Sequence, residues 1–213
     1  MPVARRVVSA VLRDFLTELR RLEKFDAENQ RNFSRETPHK SISKKQLYLL
    51  TEAIFLAGFR AYENFIRDTF LLYCMEKKSA SGRAIRSFLK PRDFLHAENL
   101  IKSSMPFLDW SSPDVIVKRS ELYLDNGSPI NLAITNQIIF LRDYKKIRNH
   151  IVHNSGESLS EYKKVLKKHY TVIPLTIPIP GEFLLQSERS EVSKYKLLIF
   201  FDVMRSIATD SSR

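Results

Sequence analysis

The chain has 213 residues and a mass of 24.9 kDa, enough for one or two compact domains with a buried core. Apolar residues make up 43% and charged residues 28%, and only 5 glycines stand beside 9 prolines. That balance argues against a glycine-rich nucleotide-binding fold and against collagen-like or low-complexity chains. The formal net charge of +11 favours polyanionic partners, nucleic acid first and an anionic membrane surface second.

The N-terminus carries basic residues but no uninterrupted apolar run, and Arg13, Asp14, Glu18, Arg20 and Arg21 follow at once. It does not read as a signal peptide, and no stretch approaches the roughly 20 apolar residues of a membrane span. A soluble cytoplasmic protein with no membrane partner is expected. Val8, Val11, Leu12, Phe15, Leu19, Leu22 and Phe25 recur at helical spacing, which predicts an amphipathic helix from residue 3 to about 31. Thr37-Pro38 and the Ser/Lys-rich stretch after it read as a connector.

A second helix is predicted from about Lys44 to Lys77, with two apolar stripes. Leu47, Leu50, Ile54, Ala57, Ala61, Phe65 and Leu72 form one, and Tyr48, Phe55, Phe59, Tyr62, Ile66, Phe70 and Tyr73 the other. A helix apolar on two faces needs two sets of neighbours, either as the centre of a bundle or with one stripe against a second subunit. Cys74 is the single cysteine, so no internal disulfide framework exists; among Leu71, Leu72, Tyr73 and Met75 it reads as a buried small hydrophobe.

Residues 92–103 are expected to form a short helix, Ser112-Pro113-Asp114 to start another, and Asn126-Gly127 to stop it. Trp110 is expected to plug the core. One long helix is then predicted from Ile130 through Arg148-Asn149-His150-Ile151-Val152-His153, ending at Asn154-Ser155-Gly156. A basic helix with Lys163, Lys164, Lys167 and Lys168 follows, offering phosphate contacts without sequence preference. Pro174, Pro178 and Pro180 then forbid helix, and a last helix is expected over about 188–208. The expected fold is all-α, an up-and-down helical bundle of one domain over 1–213, with a Pro-rich crossing segment, 171–181, before the last helix.

The chemistry concentrates at Arg148. On an ideal wheel at about 100° per residue, Ile138, Leu141, Tyr144 and Val152 set the apolar arc, and Arg148 falls inside it. An arginine keeps its charge, so burying it unpaired is expensive. It can snorkel to the helix end, pair with a buried acid such as Glu63, or face a cleft that receives an anion. Asn149 flanks it and His153 lies one turn further on, at i, i+4 from Asn149. A guanidinium fork suits phosphate, and histidine gives or takes a proton near neutral pH. These are the parts for metal-independent RNA cleavage. A base deprotonates the ribose 2′-OH, that oxygen attacks phosphorus, a cation steadies the added charge, and an acid protonates the leaving 5′ oxygen. One histidine is few for two proton roles, and two copies of the motif across a two-fold interface would supply both. His150, at i, i+3 from His153, points to the far side. The pair is at most half a metal site: no H-E-x-x-H, third ligand or phosphate-cradling glycine loop accompanies it. His39, His96 and His169 are expected to be solvated.

Arg148-Asn149-His150-Ile151-Val152-His153 resembles the R-x4-6-H motif of the HEPN superfamily, with a polar residue directly after the arginine, and Ala57-Gly-Phe-Arg-Ala-Tyr-Glu-Asn-Phe-Ile66 looks like the central helix of HEPN bundles. The resemblance is greatest to stand-alone members of prokaryotic defence and toxin systems, such as the RiboL-PSP-HEPN and MAE-type groups, and covers about residues 44–168. It implies a dimer whose two motifs share one cleft and an endoribonuclease without metal or cofactor, acting as a toxin or antiviral-defence effector, with an antitoxin or defence-system partner. By position Arg148 and His153 would be catalytic, Asn149 supporting, and Glu63 a possible supporting acid. Some HEPN proteins only bind RNA or a partner, and that adaptor reading is the alternative.

Overall fold

Apolar spacing of three and four residues builds the first helix, α1 (Val8–Ser34), with Val8, Val11, Phe15, Leu19 and Leu22 all buried. The computed structural model describes residues 6–34, 42–103, 108–170, 172, 174–187 and 194–213. It is all-α: among the described residues there are nine α-helices, one 3-10 turn (Asp125–Gly127) and two isolated bridges, with no strand. After α1 come α2 (Lys44–Cys74), α3 (Phe94–Lys102), α4 (Pro113–Tyr123), α5 (Ile130–Asn136), α6 (Ile138–His153), α7 (Gly156–His169), α8 (Pro180–Leu184) and α9 (Lys196–Ser211). The expected first residues of α1, His39 and Val192 of the last helix lie outside the described residues.

Both stripes of α2 are occupied within the chain. Leu47, Ile54, Phe65 and Leu72 are buried, and so are Phe55, Phe59, Tyr62, Ile66, Phe70 and Tyr73. The bundle-centre reading therefore describes α2, and neither stripe is left bare for a second subunit. The helix stops three residues before Lys77 because Glu76 turns to φ 55°, where its N–H reaches Tyr73 O (2.9 Å) and that of Lys77 reaches Leu72 O (3.0 Å).

The chain divides into two compact units. The first holds the described residues to Thr17, Ala61–Arg142 and Val203–Arg213. In it α1 and α2 run antiparallel: Arg6 pairs with Asp68, and Phe15 stacks on Phe65 with centroids 4.8 Å apart. Asp93 caps α3, accepting from His96 N at 2.8 Å. Pro113 starts α4 in its first turn, where no N–H is missed. Trp110 packs on Phe70 at 5.4 Å but is only half-buried, so it edges the core rather than plugging it. Cys74 is buried, and burial pushes its thiol up to about 12, as an inert core residue requires.

The second unit holds Glu18–Arg60 and Asp143–Asp202. Its core is aromatic: Tyr144 meets Phe200 edge-on at 5.1 Å, and Phe55 lies 4.7 Å from Phe200 and 6.2 Å from Tyr144. Gly58 permits this, since a Cβ there would stand 2.9 Å from the Phe200 ring. Gly181, in α8, lies against α2 so closely that a Cβ would fall 2.2 Å from Tyr48 O, and its N–H donates to Glu52 Oε1 at 2.9 Å. Pro174 and Pro178 keep their segment out of helix as expected, but Pro180 opens α8, where a first-turn proline costs nothing.

Candidate functional site

The predicted single helix from Ile130 to His153 is broken at Gln137, which sits at φ −116°, ψ 13° with its N–H on Ile134 O at 3.1 Å. The motif-bearing helix is therefore α6. Leu141, Tyr144 and Ile147 bury its apolar side, but Val152, expected to continue that side, is 49% exposed. Arg148 sits where burial runs out.

α6 and α7 form an antiparallel hairpin, and contacts along its length fix it. Lys168 Nζ donates to both oxygens of Asp143 at 2.7 Å. Lys146 Nζ is 3.3 Å from Glu161 Oε2, and Glu161 also pairs with Lys164. At the turn, His150 stacks on Tyr162 with centroids 4.9 Å apart and stands 3.3 Å from Ser158 Oγ. Asn154, not the glycine, takes the left-handed conformation that ends α6, at φ 42°. Ser155 then caps α7 in a reciprocal box with Ser158: Ser155 N donates to Ser158 Oγ at 2.9 Å and Ser158 N to Ser155 Oγ at 3.2 Å. Gly156 opens α7 instead of closing α6.

This hairpin presents the motif. Arg148 is half-buried, and its Nη1 donates to Asn149 Oδ1 at 3.1 Å. No described carboxylate of its own unit pairs with it. Asn149 thus orients the guanidinium, leaving the rest of the fork and its own amide available to an anion. His153 is exposed on the last turn of α6 and has no hydrogen-bond partner among the described residues. His150 is turned to α7, as expected of the far side, and burial lowers the tendency of its ring to take up a proton. Glu63 lies on α2 in the first unit, half-buried beside Tyr62.

Two of the histidines expected to be solvated are partly exposed, and each also has a neighbour within the chain. His96 Nδ1 accepts from Arg92 N at 3.1 Å, and His169 packs edge-on against Phe183 at 5.2 Å. Ser155, Ser158, Tyr162 and Asp143, which fix the hairpin, carried a sequence signal only in Ser155-x-x-Ser158, a capping pattern with serine in place of the usual acid or amide.

The first unit holds a separate cleft of about 600 Å³ lined by Glu76, Ile85, Arg86, Ser87, Phe88, Lys90 and Asp125. Its acid Glu76 is engaged, accepting from Ser87 N and Lys90 Nζ at 3.2 Å each, and no motif residue lines it. Among the described residues no group of three His, Cys, Asp or Glu is placed to hold a metal ion, and no helix is long and apolar enough to cross a membrane. No family model, curated protein or solved structure matches the chain.

Proposed function

We propose that the protein is a metal-independent endoribonuclease of the HEPN type, a cytoplasmic toxin or antiviral-defence effector acting as a homodimer and held in check by a partner protein. One observation carries this reading. Arg148 is half-buried on the apolar arc of α6, held by Asn149 and unpaired with any described carboxylate of its unit, with exposed His153 five residues further on and about 140° round the helix. A charge so placed is stabilised by an incoming anion, and the pair of a fixed cation and a titrating base suits a phosphodiester.

In the reaction one motif's His153 removes the proton from a ribose 2′-OH. The 2′ oxygen forms a bond to the adjacent phosphorus as the bond to the 5′ oxygen breaks, and His153 of the second copy protonates that leaving oxygen. Arg148 stabilises the charge on the equatorial oxygens. The products are a 2′,3′-cyclic phosphate and a 5′-hydroxyl. Incubation of the pure protein with mixed RNA in EDTA should give those ends; intact RNA would reject the enzymatic reading. The second reading, a HEPN module that binds RNA or a partner without cutting, is favoured by the bare imidazole of His153, which no described group orients.

A further inference from the structure

The four lysines of α7 do not stand alike. Lys168 is clamped on both oxygens of Asp143, and Lys164 shares Glu161 with Lys146. Lys168 ties α7 to α6, and Lys164 is held within α7 on the acid that Lys146 reaches from α6. Among the described residues Lys163 and Lys167 meet no carboxylate. They lie one turn apart on a single ridge that continues through Ser160 to Gly156. That ridge is unobstructed at its start, because a Cβ on Gly156 would meet nothing within 4 Å and Ser160 is exposed. The acids of α7, Glu157 and Glu161, sit about 120° and 160° round the helix from Lys163. The ridge begins three residues after His153 and rises about 16 Å to Lys167, at about 1.5 Å per residue.

We propose that RNA held at Arg148 and His153 continues along this ridge, with Lys163 and Lys167 taking phosphates well beyond the reacting bond and Lys164 and Lys168 taking none. This rests on the ribonuclease reading for where the strand begins, but its test is one of binding. A cation that neutralises one phosphate of a single strand adds about 0.7 to the slope of log affinity against log salt.

The experiment uses the full chain carrying His153→Ala, so that RNA stays intact, and a labelled single-stranded 12-mer titrated at several salt concentrations. Lys163→Ala/Lys167→Ala should reduce the slope by about 1.4 and weaken binding tenfold or more at low salt, with an unchanged melting temperature. Lys164→Ala/Lys168→Ala should keep the slope and melt earlier. An unchanged slope in the first variant, or an equal fall in both, overturns the ridge. Failure of the parent chain to cut RNA would reject the ribonuclease reading alone, because a slope change confined to Lys163 and Lys167 would still stand.

Discussion

The imidazole of His150 lies on the phenol ring of Tyr162, with ring centroids 4.9 Å apart and planes 20° from parallel, so this residue of the motif is held by the hairpin. Stacked aromatic pairs are worth about 0.5–1.5 kcal/mol beyond their burial. His150→Ala should lower the melting temperature by about 1–6 °C, at about 2–4 °C per kcal/mol for a chain of this size. The protein that remains folded should still cleave RNA. Burial depresses the folded-state pKa of His150 below its unfolded value of about 6.5. Its contribution to stability is therefore complete above that pH and is lost as pH falls through the folded pKa. Thermal melts between pH 5 and pH 8 should show a fall at the acid end that is smaller in the variant.

Asp26 is 1% exposed, accepts from Tyr195 OH through Oδ2, and leaves Oδ1 without a hydrogen bond among the described residues. Burial pushes its carboxyl above the usual carboxylate range, against the opposing pull of Tyr195. A raised carboxyl contributes its stability below the unfolded pKa and loses it as pH rises through the folded one. Asp26→Asn, which keeps an acceptor for Tyr195, should therefore gain stability relative to wild type more at pH 7 than at pH 4. Paired melts at the two values check this; a variant less stable at pH 7 than at pH 4, relative to wild type, would contradict it.

Gly181 has no room for a side chain, since the nearest atom to an added Cβ is backbone, Tyr48 O at 2.2 Å. Backbone cannot swing aside as a flexible side chain does. Gly181→Ala should cost at least the ~1–3 kcal/mol typical of overpacking, read as a loss of several degrees in melting temperature, whereas Gly156→Ala, with open space around it, should be nearly neutral.

Lys168→Ala leaves the mostly buried Asp143 carboxylate, with 13% of its side chain exposed, without its ammonium partner. Stranding a buried acceptor costs about 1–3 kcal/mol. A drop in melting temperature is expected, with recovery when Asp143→Asn is added, since the double variant removes the stranded charge.

What the sequence made legible follows periodicity. The two stripes of α2 and the buried face of α1 could be read because large apolar residues recur at three and four. Breaks were harder. Gln137 interrupts a run whose apolar pattern continues on both sides, so the pattern carries no mark of the kink. At the motif's end the expected glycine stop went to Asn154, because asparagine also adopts the left-handed conformation and Ser155 was needed to cap α7. The motif residues were legible as a local string, but the sorting of the α7 lysines was not. That sorting depends on Asp143, twenty-five residues from Lys168 and across a turn, and on Glu161 being shared between two lysines. Pairings of that kind are set by how the hairpin closes.

Single-turnover cleavage of a labelled RNA in EDTA by wild type, Arg148→Ala and His153→Ala decides whether Arg148 and His153 cleave RNA together, as we propose. Loss of a proton-transfer group typically costs about 10²–10⁴-fold and loss of the main charge stabiliser about 10²–10³-fold. Each variant should therefore fall by at least a hundredfold while its melting temperature stays equal to or above that of wild type, because Arg148 forms no ion pair with a described residue of its unit that would be lost. An Arg148→Ala protein that is folded and cuts RNA at the wild-type rate would contradict the account.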